Sequence, residues 1–443
     1  MRSHCCIGVS AALLLLSFAS SAQADSRTEH AAPNNIIFMI GDGMGPAYVT
    51  AHRYAQAGTP GQPVETTIFD ELLVGSARTY PATGSFITDS AASATAMATG
   101  VKTRKGVIGM DAQHQPVRSI LEQAKLAGKA TGIVATSAVT HATPAGFVAN
   151  AKRRSYQDLI AEQYVHKRIA ERSMLDLMLG GGQQFFPRTE GGLADQLRDN
   201  GFEQAWDLDG IRSLSRLPAM GLIASDGLPF AINTDQPHRL RVMTDKALEL
   251  LSTEQNGFFL MIEGSQIDWC GHSNDIRCAL GEMEDFAQAL KAAKAFVDAN
   301  PDTLLIATAD HDTGGLTLAR QGTRGGWQPA IALGTHRTSH YITEALQAEP
   351  QRKAQAIWAE HADWALNSAE IARIDELRDQ ETNELRKAIA DIVSARSGTG
   401  WTTGGHSAVD VPVMAYGAQA ERFAGHLNNT DFAPIIFEML NAD

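Results

Sequence analysis

The chain is short of several things, and each shortage narrows what it can be. It has only 4 cysteines in 443 residues. No pair of C-x-x-C motifs is present, which argues against a thiolate zinc module. Basic residues are outnumbered, 37 Lys and Arg against 50 Asp and Glu, for a net charge of −13. That balance argues against nucleic acid or an anionic membrane surface as the main partner. An anionic substrate would then need local cations, and bound metals and arginine are the obvious sources. Apolar runs are short as well. The longest lies at residues 9–18, too short to span a bilayer, and nothing later exceeds it. No membrane anchor is expected, and internal repeats are absent.

What is present is ordinary globular material, with 44% hydrophobic residues. The length suits one large α/β domain with insertions, or two or three domains. Residues 1–24 read as a secretory signal. Arg2 supplies the positive start, residues 9–18 the apolar stretch, and Ala22-Gln23-Ala24 the cleavage site. The mature chain is expected to begin near Asp25, across the inner membrane in the periplasm or beyond it. Cys5 and Cys6 leave with the signal, and the mature chain keeps Cys270 and Cys278. In an oxidising compartment a local disulfide is open to that pair. Free buried thiols are the alternative, and zinc ligation by Cys270 is a third option.

Four apolar runs each end in polar residues able to bind metal. Residues 35–40 lead to Asp42, and 132–136 lead to His141 and Thr143. Residues 258–262 end at Glu263, and 303–307 lead to Asp310 and His311. Continuous apolar runs of this length fit strands buried on both faces. Helical patterns lie between them, at 117–127 and at Met283, Phe286, Leu290 and Val297. The alternation predicts an α/β three-layer sandwich, a largely parallel sheet with helices on both faces. Ligands bind such sheets beyond the carboxyl ends of the strands, so the four polar ends should meet on one edge. Residues 317–397 break the pattern. They are Gly-rich at first, then polar and helix-prone, and they read as an insertion. A last strand is expected at 411–416.

Ser90 follows an acid, Asp89, and heads a run of small residues ending at Gly100. That places it near the start of a short helix over 91–99, where backbone N–H groups and the helix dipole favour an anion. A serine there can hold a phosphate or attack one; an ordinary capping serine is the alternative. Elsewhere Asp268 and His272 stand at i, i+4, on one face of a helix. His406 could close that pair from a distant loop. Asp310 and His311 form a second pair that Asp42 could join. Thr143 and Glu263 offer hard oxygen ligands of the kind magnesium takes.

With these residues assembled, the chain resembles alkaline phosphatases. The resemblance rests on IIFMIGDGMG at 36–45, TDSAASATAMATGVKT at 88–103, THATPAGFVAN at 140–150, EGSQIDWCGH at 263–272, ATADHDTGGL at 307–316 and TTGGH at 402–406. It implies a single domain over 25–443 that hydrolyses phosphate monoesters through a phosphoserine. It implies Ser90 as nucleophile, Arg154 rather than Arg153 as phosphate clamp, and Asp89 as the acid orienting that arginine. Two Zn2+ and one Mg2+ per chain are implied. The first zinc takes Asp268, His272 and His406, and the second takes Asp42, Asp310 and His311 while touching Ser90. Magnesium takes Asp42, Thr143 and Glu263.

His141 and Trp269 stand where other bacterial members have aspartate and lysine. The exchange implies weaker product binding and an altered preference at the third metal. The 317–397 segment resembles crown-type insertions, which cover the active-site mouth or reach across the homodimer usual in the family. A phosphodiesterase of the same superfamily and a secreted metal- or phosphate-binding protein without turnover are the competing readings. Thr143 and Glu263 favour the monoesterase over the diesterase.

Overall fold

The computed structural model describes Met1 and residues 32–441, except 325, 380 and 381. Apart from Met1, the expected signal, with Cys5, Cys6 and the cleavage site, lies outside the described residues. Ala32–Asp443 is one compact unit. Its centre is a ten-stranded sheet, in the order β14 (Gly425–Asn428), β2 (Leu73–Arg78), β13 (Val411–Gly417), β10 (Thr303–Thr308), β1 (Asn35–Gly41), β9 (Phe258–Gly264), β3 (Ala130–Ala138), β6 (Leu177–Gly181), β8 (Ala219–Leu222) and β7 (Glu203–Ala205). Two small ribbons complete the strands: β4 (Arg168–Ile169) with β5 (Arg172–Ser173), and β11 (Asp312–Thr313) with β12 (His406–Ser407).

The four strands expected from apolar runs are neighbours at the centre. β10, β1, β9 and β3 pair in parallel, and every residue of each is buried. β13 runs antiparallel to both β10 and β2, so the sheet is largely parallel. Successive side chains of a strand leave on opposite faces. Thus Phe259 stacks on Phe147 of the helix Ala142–Val148, while Phe258 meets Phe296 of the helix Ile276–Ala299. These contacts mark the two helical layers over a filled sheet.

Local chemistry trims the expected elements. The pattern at 117–127 becomes the helix Ile120–Leu126, because Ser119 and Glu122 form a reciprocal capping box that starts it late. In the insertion the helices are Pro329–Leu333, Ser339–Ala348, Ala354–Trp358, Ser368–Leu377 and Thr382–Ser397. Thr317 and Gly400 close its base with backbone hydrogen bonds of 2.8 and 2.9 Å. Cys270 and Cys278 are joined as a disulfide. Of the options open to this pair, free thiols and zinc ligation by Cys270 therefore fall away. The bond ties the helix Gln266–His272 to the long helix Ile276–Ala299.

Candidate active site

In-register pairing brings the strand ends to one edge. Ile40 of β1 lies beside Glu263 of β9 and Thr308 of β10, and Ala135 of β3 flanks Glu263 from the other side. Asp42, His141, Thr143, Asp310 and His311 follow directly from these strands.

Ser90 begins the helix Ser90–Thr99, whose residues are all buried. The small-residue run is explained by close packing. A Cβ on Gly146 of the neighbouring helix Ala142–Val148 would stand 2.9 Å from the Ala94 Cβ, so neither helix has room for bulk. The cap itself differs from the alternative read in the sequence. Asp89, not Ser90, is the N-cap, and its Oδ1 accepts from Ala92 N at 3.1 Å. Ser90 is thereby free of capping duty. Its Oγ lies 3.2 Å from His311 Nε2, and Arg154 Nη1 donates to it at 3.5 Å. The second Asp89 oxygen accepts from Gly106 N at 2.9 Å and from Arg154 Nη1 at 3.4 Å. Arg153 is exposed instead.

Around this serine lie three groups of donor atoms. In the first, His272 Nε2 stands 3.4 Å from Asp268 Oδ2 and 3.2 Å from His406 Nε2, and His406 Nε2 stands 3.6 Å from Asp268 Oδ1. In the second, His311 Nε2 stands 3.1 Å from Asp310 Oδ2 and 3.5 Å from Asp42 Oδ1. The two groups touch, with the His311 and His406 rings stacked at 3.6 Å. In the third, Asp42, Glu263 and His141 have ligand atoms within 4.8 Å of one another, and Thr143 Oγ1 donates to Asp42 Oδ2 at 3.3 Å.

The electrostatics suit cations. Asp42, Glu263, Asp268 and Asp310 are all buried. Asp42 Oδ1 and Glu263 Oε1 meet no hydrogen-bond donor, and Asp310 Oδ2 is approached only by His311 Nε2, at 3.1 Å. Buried charge left this way is costly unless an ion completes it. Burial, then the charges of Asp310, Asp268 and Glu263, raises the Asp42 carboxyl well above the usual range. Burial lifts Glu263 to about 7. Burial and the charge of His311 push His406 down to about 4, and burial and Arg154 do the same to His141. Both imidazoles are therefore neutral at physiological pH, the form that binds metal. The ring orientations agree. His272 Nδ1 donates to Gly404 O at 2.8 Å and His406 Nδ1 to Thr88 O at 2.9 Å, which leaves each Nε2 lone pair facing the first group. The donor set fits divalent metal ions.

The surroundings add Ser137, Phe230 and Gly227, which motif reading had not singled out. Ser137 Oγ donates to Glu263 Oε2 at 3.3 Å. Trp269 meets the His141 ring edge-on at 6.0 Å and Phe230 at 6.4 Å. It packs so closely on Gly227 that a Cβ there would lie 2.3 Å from the indole. His141, which the sequence tied to the preference of the third metal, faces the third group, and Arg154 Nη2 stands 3.2 Å from its Nε2. A lone hydroxyl or glycine carries no local signal for such contacts.

Fold and site define a class: a metal-dependent hydrolase acting at phosphorus on the carboxyl edge of an α/β sheet. The alkaline phosphatase family model matches residues 33–442. Alkaline phosphatase 3 of Bacillus subtilis is 40% identical over 425 residues, covering 95% of this chain and 92% of the relative. The cold-active alkaline phosphatase of a psychrophilic Shewanella superposes with a TM-score of 0.87 at 38% identity, over 92% of this chain and 99% of that one. A histidine-to-aspartate mutant of the enzyme from the Antarctic bacterium TAB5, described with magnesium bound in its M3 site, has a TM-score of 0.69 at 28% identity, over 93% and 99%. The chain belongs to the alkaline phosphatase family. It is a metal-dependent enzyme that hydrolyses phosphate monoesters to alcohol and phosphate through a phosphoserine intermediate.

Proposed function

We propose that Ser90 is the nucleophile, that Arg154 clamps the phosphoryl group, and that Asp89 orients Arg154. Asp268, His272 and His406 would hold one Zn2+, and Asp42, Asp310 and His311 a second beside Ser90. Asp42, Thr143 and Glu263 would hold Mg2+, with His141 close enough to join them. The magnesium described in the M3 site of the TAB5 mutant, where a histidine had been exchanged for aspartate, supports a link between a histidine and the choice of third metal. The observation that carries the reading is the ring of buried, donorless carboxylate oxygens around one uncapped serine.

Divalent ions in these sites supply positive charge to the phosphoryl oxygens and lower the pKa of the hydroxyl and water that react. Ser90 Oγ attacks phosphorus in line, the P–O bond to the alcohol breaks, and the departing oxygen takes a proton from water. Arg154 holds non-bridging oxygens through paired N–H groups, and Asp89 keeps its guanidinium turned to the site. The first turn of the helix Ser90–Thr99 adds a positive dipole end. Water then attacks the phosphoserine from the opposite side, Ser90 Oγ departs, and phosphate leaves. Splitting the displacement replaces one hard step by two easier ones. Trp269 offers no cation to phosphate, so product should leave readily.

The remaining readings belong to the same proposal. The chain is a single domain over 25–443, exported by its first 24 residues to the periplasm or beyond, and the Cys270–Cys278 disulfide supports an oxidising compartment. It works as a homodimer without a membrane anchor, with the 317–397 segment as a crown-like insertion. Among the described residues no helix is long and apolar enough to cross a membrane. Steady hydrolysis of p-nitrophenyl phosphate, with metal content measured per chain, tests the site. Two zincs and one lighter ion are expected. Ser90→Ala should abolish turnover while keeping the metals. Full activity in that variant, or active enzyme with at most one metal, would overturn the assignment.

A further inference from the structure

One fully buried hydroxyl touches the first and the second donor group. Thr313 Oγ1 lies 2.5 Å from Asp268 Oδ1 and 3.2 Å from His311 Nδ1. An ionised carboxylate only accepts, so the hydroxyl donates its single proton to Asp268. Oγ1 can then only accept from His311, which requires the proton on Nδ1. With a metal bound, Nε2 of His311 is then the ligand atom, on the side of Asp42, Asp310 and Ser90. One oxygen thus orients a carboxylate of the first group and sets the tautomer of the histidine in the second.

The residue is pinned from four directions. Its N–H donates to Gly43 O at 3.1 Å, next to Asp42, and Tyr48 Oη donates to its carbonyl at 2.6 Å. Its strand β11 pairs it with His406 of β12. Its Cγ2 faces Gly271, where a Cβ would stand 2.9 Å away. Gly43 has φ +73°, and a Cβ there would lie 2.6 Å from Thr313 Oγ1. The loop after β1 must therefore be glycine for this hydroxyl to reach its two partners.

We propose that Thr313 is a positioning residue that couples the two zinc sites, holding one ligand of each through a single hydroxyl. This rests on the reading that the two groups bind zinc. Outer partners of metal ligands typically contribute about 10–100-fold in affinity. The usual partner serves one ion, whereas Thr313 serves two, so its loss should weaken both sites together.

The test is zinc affinity, measured by competition with a chromogenic chelator on the stripped, full-length protein. Thr313→Val keeps the shape and removes the hydroxyl. Both zinc sites should weaken by about 10-fold or more each, and Thr313→Ser should restore both to within a few-fold of wild type. Equal thermal midpoints of the stripped wild-type and valine proteins would show that folding is intact. Should the midpoint of Thr313→Val fall, the comparison is made between Thr313→Ser and Thr313→Ala at matched stability, with the same expectation. Weakening of only the site that contains Asp268, unchanged affinity at both, or failure of serine to rescue would overturn the proposal. Asp268→Ala and Asp310→Ala separate this failure from the larger one. If these leave zinc binding intact, the ligand assignment is wrong; if each loses one zinc while Thr313→Val loses none, only the coupling is wrong.

Discussion

At the carboxyl edge of β10, β1, β9 and β3, carboxylates lie buried with oxygens that no protein donor meets. In the 317–397 insertion, several charged side chains lie near the surface and in pairs. Asp391 accepts from Arg320 and Arg373 at 2.8 Å each, and Glu370 accepts from Arg396 at 2.6 and 2.7 Å. Both regions are rich in charge, yet only one is incomplete without something else. Exposed pairs need no ligand and contribute little, because water already solvates each partner. Desolvated carboxylates packed together repel one another and hold that cost until a cation arrives. The contrast separates charge kept for binding from charge kept for a solvated surface.

Metal removal should strike this contrast hardest. Exhaustive chelation is expected to abolish phosphate release and lower the thermal midpoint, since ions that bind only the folded state add several kcal/mol of stability when well above their dissociation constants. Calorimetry with and without chelator checks it. A midpoint that did not move would mean that the edge is self-sufficient, like the insertion.

Arg154→Ala comes next, with an expected fall of about 10²–10³ in kcat/KM. Arg153→Ala, at an exposed neighbour, should change little. Equal losses would place the clamp elsewhere. Trp269→Lys brings a cation towards the phosphate beside His141 and Phe230. The inhibition constant for phosphate should drop by about tenfold, a change of about 1.4 kcal/mol. An unchanged constant in steady-state assays would remove Trp269 from the account of product release.

The smallest effect belongs to the insertion. Arg373→Ala leaves Asp391 paired with Arg320, so chemical denaturation should shift by no more than about 0.5 kcal/mol. A larger loss would show that the surface network is coupled and that the two regions differ less than their burial suggests.

Much of this arrangement could be read along the chain. Apolar runs that need no partner pattern marked the four central strands, and a parallel sheet orders its carboxyl ends on one edge by construction. Asp42, Glu263, Asp310 and His311 therefore announced themselves by position, and Asp268 with His272 by helical spacing. The insertion stood out because it lacks the strand period. Helix starts were less legible, since a capping box at Ser119 or an aspartate cap at Asp89 is decided by one or two local hydrogen bonds.

The sequence by itself determined the sheet, its polar edge, the inventory of metal-competent groups and the membership of a family. The tertiary structure alone decided how those groups face one another. It joined Cys270 to Cys278, turned His141 towards Asp42 and Glu263, and set His406 Nδ1 on the carbonyl of Thr88, 318 residues away. It also brought the Thr313 hydroxyl to Asp268, 45 residues distant, and to His311. The reason is range. Periodicity and spacing are properties of neighbours, whereas the direction of a lone pair depends on strand register and loop geometry set by residues far along the chain.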